Sequence, residues 1–305
     1  MFVQLEQSRC SGIIIAGGMF CKMIKVDCQY KIKEDIEFIL ESEKINMSEL
    51  SDRTKISRTT LNEIKKAGKT TKEVYEKFYA YIYENRYRIN SVKEELIKEK
   101  YQKVLFHGSK KGLSEISVLG ARDNCDFGKG FYLGETYNQA VAFVCENRDS
   151  SIYSFNYVSG GLKIKEFDCS LEWMIAICYY RGTLGAYKDN DKVKRIVGEI
   201  ENSDIVIAPI ADNKMFYIMA QFTDGEINAD VALHSLSASK LGMQYIFKTE
   251  KALEKLVPIE KYYLCDLERE DFRRLLNERS YEIDTKLKLA KREFKKGLYI
   301  EELFV

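Results

Sequence analysis

The spacing of apolar residues changes near residue 100, and this change limits what the chain can fold into. From 34 to about 100, apolar residues recur every three to four positions, as at Val74, Phe78 and Ile82, which is the period of an amphipathic helix. From 103 to 258 the apolar residues instead form short strand-like runs with helical segments between them. Runs of both kinds in one segment predict an α+β fold, so we expect an α+β domain preceded by an all-α domain.

The pattern predicts particular elements and four segments. Strands are expected at Lys103–Phe106, Ile152–Val158, Leu162–Phe167, Asp204–Ile207 and Gln244–Phe247, and helices between them at about 135–146, 170–181, 213–223 and 249–256. We divide the chain into an N-terminal extension at 1–30, a helical domain at 31–92, the α+β domain at 101–258 and a helical tail at 259–305. The tail holds eleven basic and eleven acidic residues, which indicates a solvated helix rather than a nucleic-acid-binding arm.

Composition narrows the classes of function. Forty-eight basic and forty-seven acidic residues give a net charge of +1, so any polyanion-binding patch must be local. The eight cysteines form no CxxC pair and the only histidines are His107 and His234. We therefore expect no metal site and free thiols in a reducing cytoplasm. The N-terminal apolar run from Ile13 to Phe20 is too short to span a bilayer, so no membrane partner is expected.

One stretch of the helical domain resembles the helix-turn-helix of bacterial repressors. Residues 47–52 correspond to the first helix of that motif and residues 57–62 to the start of its recognition helix. Between Arg53 and Lys72 seven basic residues face one acidic residue, a density that suits contact with DNA phosphates. The candidate nucleic-acid contacts are Arg58, Thr59, Asn62 and Lys65. The other interpretation is a protein-binding or oligomerisation module with a solvated basic face.

Two ordered motifs distinguish the α+β domain. Phe106-His-Gly-Ser109 follows the first strand-like run, and Phe127-Gly-Lys-Gly-Phe-Tyr-Leu133 begins eighteen residues after Ser109. Together they resemble the ADP-ribosyltransferase superfamily, in which poly-ADP-ribose polymerases carry similar motifs, and most closely an uncharacterised bacterial branch. The segments at 203–212 and 239–247 extend the resemblance over roughly half of the chain. It implies a split mixed β-sheet with flanking helices and NAD as substrate.

The resemblance also implies which residues hold NAD: His107, Gly108, Ser109, Gly128, Gly130 and Tyr132. In these roles His107 binds a ribose hydroxyl, since a neutral imidazole offers a donor and an acceptor. Gly108 brings backbone close to the nicotinamide carboxamide because it lacks a Cβ, and Ser109 supports that carboxamide. The ring of Tyr132 stacks on the nicotinamide. The catalytic residues implied are His107, Tyr132 and Gln244.

Gln244 departs from the family pattern. Poly-ADP-ribose polymerases have a glutamate where this chain has Gln244, and an amide orients a hydroxyl but supplies no negative charge. Chain elongation is therefore not expected, whereas single transfer is. Asp126, Glu135 and Asp212 are alternative carboxylates, and each is interpreted as a surface or turn residue.

These features predict a mono-ADP-ribosyltransferase that cleaves NAD and transfers ADP-ribose to a protein or nucleic-acid acceptor. A bacterial toxin, defence factor or regulator in the cytoplasm fits the combination of domains. Two alternatives stay open at this stage. One is a DNA-binding transcriptional regulator whose transferase-like domain only senses NAD, and the other is NAD hydrolysis or removal of phosphate from RNA ends.

Overall fold

The computed structural model describes residues 13–16, 19–23, 32–68, 70–87, 89–118, 120–121, 124–237 and 242–304. The predicted N-terminal extension lies partly outside these residues. Within it, strands β1 (Ile13–Ala16) and β2 (Met19–Met23) pair with each other. Strand β2 also pairs with β4 (Glu115–Ile116).

Short helices form the next part of the chain: α1 (Lys33–Glu43), α2 (Met47–Thr54), α3 (Arg58–Ala67), α4 (Lys72–Glu84) and α5 (Ile89–Lys100). Local chemistry sets their ends. Asn46 caps α2 in a capping box with Glu49, and such boxes satisfy two otherwise unpaired donors. Gly68 ends α3 at φ +70° and Thr71 caps α4, as is common for a glycine after a helix and a threonine before one.

The rest of the chain is mixed α and β. The strands are β3 (Val104–Ser109), β5 (Phe131–Gly134), β6 (Ser151–Tyr157), β7 (Ile164–Glu166), β8 (Ile205–Pro209), β9 (Met243–Phe247) and β10 (Leu256–Tyr263). The helices are α6 (Tyr137–Val144), α7 (Leu171–Tyr180), α8 (Asp191–Glu201), α9 (Asn213–Thr223), α10 (Ala229–Ser237), α11 (Glu250–Leu253), α12 (Asp266–Glu293) and α13 (Ile300–Leu303). This mixed architecture confirms the α+β class expected from sequence.

The seven strands form one mixed sheet in the order β10-β6-β3-β5-β9-β8-β7. Only β7 and β8 are parallel among its described pairs. Strands β3 and β6 pair along six residues, whereas the described ladder between β3 and β5 consists of Phe106 opposite Gly134. The centre of the sheet is therefore where its two halves separate.

Each half of the sheet has its own core on the helical face. Helix α6 packs on β3 and β6 through residues such as Val141 and Val144. Helices α7 to α10 pack on β8 and β9 around Trp173 and Met219. The boundary between the two cores lies at the separation of β3 from β5.

The C-terminal segment differs from the expected helical tail in two ways. Strand β10 continues to Tyr263, so helix begins at Asp266 rather than near 259. Helix α12 buries Ile283 and Leu287 in the core around α7 to α10, because its sparse apolar residues recur at helical spacing. The balanced charge of the segment suggested a solvated helix and did not indicate this buried face.

The helical domain packs against the same segment. Cys265, which precedes α12, belongs to the apolar core of α1 to α5. The hydroxyl of Tyr75 donates to the carbonyl of Tyr263 at 2.5 Å, and the amide of Asn90 donates to Glu268 at 3.0 Å. Among the described residues, no helix combines the length and apolarity needed to cross a membrane.

Candidate functional site

The motifs singled out from the sequence lie on three neighbouring strands. The His-Gly-Ser segment forms the end of β3, the Phe-Gly-Lys-Gly-Phe-Tyr segment runs into β5, and Gln244 belongs to β9. These strands stand in the order β3-β5-β9. The fold thus brings side by side three segments that are far apart in the chain.

Their side chains divide between the two faces of the sheet. The ring of His107 stacks on Phe131 with centroids 4.4 Å apart. Tyr132 follows Phe131, and Gly108 follows His107, so both lie on the opposite face. Gln244 shares the face of Tyr132, since the residue opposite Gln244 is two positions from Tyr132. The three predicted catalytic side chains therefore do not converge on one face, which the motif order alone did not reveal.

Gly108 presents its backbone toward the separation of the two half-sheets. The carbonyl of Lys103 accepts from Tyr157 of β6 at 2.7 Å, and backbone groups of an antiparallel strand alternate in direction along the chain. The N–H and C=O of Gly108, five residues after Lys103, therefore point away from β6 and toward β5. They lie two residues beyond Phe106, where the described pairing with β5 ends.

His107 is half-buried and held in one tautomer. Its Nδ1 lies 2.8 Å from the carbonyl oxygen of Tyr132, and a carbonyl only accepts, so Nδ1 carries the hydrogen and Nε2 is an acceptor. Burial lowers the pKa of His107 to about 4, against a smaller opposite effect of the Tyr132 carbonyl. The side chain is thus a neutral hydrogen-bond acceptor at neutral pH.

Tyr132 closes the turn that precedes β5. Its hydroxyl accepts from the N–H of Phe127 at 3.1 Å and donates to the carbonyl of Gly128 at 2.8 Å. Burial raises its pKa. The Nζ of Lys248 adds a donor to the carbonyl of Phe127 at 2.9 Å. The hydroxyl therefore has a structural role, and the residue is partly buried against the core around α7 to α10. The stacking on nicotinamide stays a prediction.

Close packing accounts for the glycines of both motifs. A Cβ on Gly108 would lie 2.5 Å from the backbone oxygen of Ala140 in α6. A Cβ on Gly130 would lie 2.5 Å from Ile246, and Gly128 has φ +72° and adjoins the ring of Tyr180. Distances under about 3 Å are not found for real Cβ atoms. The sequence assigned these glycines to ligand approach, whereas packing within the domain already requires them.

A buried carboxylate lies beside Gln244. Asp126 is 6% exposed, and its Oδ2 accepts from Gln244 Nε2 at 3.1 Å. Its Oδ1 accepts from Arg181 at 2.6 Å. Burial raises the pKa of Asp126, while hydrogen bonds from Gln244 and Arg181 act in the opposite direction. Asp126 lies in a turn, as expected, which the hydrogen bond from Gly128 N–H to the carbonyl of Cys125 closes. Its placement at the surface is wrong, since it is a buried partner of Gln244.

A cavity adjoins this group. Arg181 stands over the ring of Phe216, with the guanidinium carbon 4.1 Å from the ring centroid. Both residues line a cavity of about 200 Å³ together with Ile177, Cys178, Thr183 and Met219. Its wall is mostly apolar with one guanidinium.

The other residues singled out from sequence have different surroundings. Asp212 caps α9 by accepting from Met215 at 2.9 Å, and Glu135 accepts from Lys103 at 3.0 Å. The hydroxyl of Ser109 donates to the carbonyl of Gly112 at 2.6 Å. His234 is exposed on α10, away from β3. In the part of the chain that the structure describes, no group of three or more potential metal ligands comes together.

Comparison with known proteins identifies a family for the α+β domain. The family model described as "Protein of unknown function (DUF3990)" matches residues 103–257, which is about half of the 305 residues. The chain belongs to this family. Comparison with curated proteins gives no match, and comparison with solved structures gives none either. The DUF3990 match thus covers the three motif strands and leaves α1 to α5 outside.

The candidate nucleic-acid contacts lie on α3, before the DUF3990 match. Arg58, Thr59 and Asn62 are exposed, while Leu61 and Ile64 of the same helix are buried. Lys65 is half-buried, with Nζ 3.9 Å from Glu37. Three of the four predicted contacts therefore form one solvent-facing surface on α3.

Two residues of the DUF3990 domain escaped the sequence interpretation. Arg181 ends α7 and fixes Asp126, and Lys248 holds the turn before β5. Single basic residues after an apolar run are common, so nothing local distinguished them. The one available signal was Asp126, a carboxylate that directly precedes the motif beginning at Phe127 and that needs a basic partner when it is buried.

Proposed function

We propose that the DUF3990 domain of this chain is an NAD-dependent mono-ADP-ribosyltransferase that transfers ADP-ribose to a macromolecular acceptor. The observation that carries the proposal is the arrangement of the two motifs. His107 and Gly108 end the strand at which the sheet separates, and the Tyr132 motif leads into the strand across that separation. A separation of strands exposes backbone donors and acceptors, which a planar carboxamide can bind.

The groups at this separation match what NAD offers. Gly108 directs a backbone donor and an acceptor toward it, which complement the oxygen and the NH2 of a nicotinamide carboxamide. His107 adds a neutral Nε2 that accepts a hydrogen bond from a ribose hydroxyl. The hydroxyl of Ser109 uses its one hydrogen on Gly112, so its lone pairs accept from an amide N–H.

Transfer requires that the bond between nicotinamide and ribose C1′ break with the electron pair leaving on nicotinamide. The acceptor then bonds to C1′ and releases its proton. Positive charge develops on the ribose meanwhile, and fixed groups aimed at that charge contribute most to such catalysis. In the proposed function Gln244 holds a ribose or acceptor hydroxyl, in the place of the glutamate of poly-ADP-ribose polymerases. Unlike that glutamate, it carries no charge.

The experiment measures nicotinamide release from NAD by the full-length chain and by two histidine variants. His107→Ala removes the Nε2 acceptor, which costs about 1–3 kcal/mol for a hydrogen bond to a bound ligand. We expect release to fall by about 5- to 150-fold on that basis. His234→Ala is the matched control, because His234 is the only other histidine and is exposed on α10. Equal release by the two variants would refute the proposed role of His107.

The acceptor distinguishes transfer from the related reactions. With NAD labelled in its adenylate, transfer leaves label on a protein or nucleic acid in amounts equal to the nicotinamide released. Nicotinamide without labelled acceptor indicates hydrolysis, and loss of phosphate from RNA ends without nicotinamide indicates the phosphate-removal alternative. Each reaction thus has its own product pattern.

The exposed surface of α3 supports a second candidate function, binding of duplex DNA. Arg58, Thr59 and Asn62 face solvent, and α3 follows α2 after a three-residue connection, as in a helix-turn-helix. In this second candidate function the protein is an NAD-sensing regulator that binds DNA, and its transferase-like domain is catalytically weak. Specific duplex binding that NAD alters, with no nicotinamide released, would favour it over the transferase.

A further inference from the structure

The surroundings of Gln244 determine which way its amide points. Its Nε2 lies 3.1 Å from Asp126 Oδ2 and 3.2 Å from the carbonyl oxygen of Pro209. An ionised carboxylate and a carbonyl only accept hydrogen bonds, so the atom between them must be the NH2 group. The oxygen Oε1 is therefore the atom of this side chain that is turned away from both partners.

Asp126 is in turn fixed from the other side. Arg181 donates to its Oδ1 from Nε at 3.1 Å and from Nη2 at 2.6 Å. One carboxylate oxygen thus binds the guanidinium and the other binds the amide. Arg181 is steadied by the ring of Phe216 beneath it, and hydrogen bonds that involve charged groups are the stronger ones. These successive contacts restrict rotation of the Gln244 amide.

This arrangement compensates for the missing glutamate. A glutamate at 244 would provide an acceptor oxygen and a negative charge within one side chain. Here Gln244 has the acceptor oxygen, and Asp126 has the charge one hydrogen bond away. Both groups are buried, at 7% and 6% exposure, and charges act more strongly where water is excluded.

We propose that Asp126 is a positioning residue of the transfer site, which orients the Gln244 amide toward a ribose hydroxyl and places the negative end of its ion pair with Arg181 behind that amide. This inference rests on the proposed function. Asp126 exchanges no proton in the reaction: the C1′–nitrogen bond breaks toward nicotinamide, the acceptor forms the new bond, and the acceptor's proton passes to solvent. The negative oxygen of the Asp126–Arg181 pair faces the amide and so favours positive charge on the ribose.

The experiment exchanges the two functional groups. Asp126→Asn keeps the size of the side chain and removes the charge, so we expect kcat for nicotinamide release to fall about 10- to 100-fold. The KM for NAD should stay within about threefold, since the groups assigned to NAD binding lie on β3 and β5. The double variant Asp126→Asn with Gln244→Glu returns the charge to position 244 and should recover most of kcat.

Asp212→Asn is the matched control. It changes another carboxylate of the same domain, and asparagine caps a helix as well as aspartate does, so kcat should not change. Thermal unfolding of every variant identifies loss of fold. Wild-type kcat in folded Asp126→Asn, or a double variant as slow as Asp126→Asn alone, would overturn the role of Asp126 and leave the proposed function standing. Absence of nicotinamide release by the wild type would overturn both.

Discussion

The burial of His107 predicts a pH dependence of folding stability that one substitution isolates. Its pKa falls from 6.5 to about 4 in the folded chain, so the unfolded chain binds the proton more tightly. The contribution of His107 to the free energy of unfolding is fully present above pH 6.5 and decreases as pH falls toward 4. A shift of this size corresponds to about 3 kcal/mol in total, of which about 2 kcal/mol is lost between pH 8 and pH 5. The ring is half-buried, so hydration makes this an upper value.

Urea unfolding at pH 8 and pH 5 measures this contribution in the wild type and in His107→Gln, which cannot titrate. The free energy of unfolding should fall by about 2 kcal/mol more in the wild type than in the variant. His234→Gln is the matched control for loss of an imidazole, since His234 is exposed on α10. With two histidines in the chain, NMR titration also resolves the His107 signal directly. Identical pH dependences in the wild type and His107→Gln would show that the imidazole is not buried as described.

Three further predictions address packing, a buried carboxyl and the surface of α3. Gly108→Ala should destabilise the fold by about 1–3 kcal/mol through overpacking, while Gly198→Ala, in a helix with open space at the Cβ position, should stabilise it by about 0.5–1 kcal/mol; equal effects in thermal unfolding would contradict the approach of α6 to β3. Burial raises the pKa of Glu268 to about 7, so the free energy of unfolding should decrease as pH rises from 4.5 through 7. Glu268→Gln should not show this decrease, and the same pH dependence in the wild type and the variant would contradict the burial of this carboxyl. If α3 binds duplex DNA, Arg58→Ala with Asn62→Ala should weaken binding without changing nicotinamide release, and wild-type affinity should fall steeply with added salt; salt-independent binding would point to a protein partner.

Local chemistry made part of the fold predictable. The glycine and threonine that bound α3 and α4 act within a single turn, so their positions sufficed to place the ends of those helices. The strand that carries His107 was expected one residue from where it begins. Helix α8 was missed, although Val193, Ile196 and Ile200 recur at helical spacing and lie in the core.

The candidate site depended on contacts that no local pattern encodes. Asp126 is buried because Arg181 and Gln244, 55 and 118 positions away in the chain, converge on it. The motif order grouped His107 and Tyr132 in one site, but β5 was not among the predicted strands, and strand register decides which face each side chain takes. Gly108 was assigned to a ligand because the spacing predicted helix α6 but not that it packs against Gly108.

The most direct test of the central claim is to incubate the full-length chain with adenylate-labelled NAD in the presence of cellular protein and nucleic acid. Nicotinamide and macromolecule-bound label are then measured in the same sample. We predict that nicotinamide and bound label are equal in amount for the wild type and for His234→Ala, and that both are about 5- to 150-fold lower for His107→Ala. Unchanged NAD in the wild-type sample, or label transfer that is independent of His107, would contradict the claim that this DUF3990 domain transfers ADP-ribose through the site at the separation of its sheet.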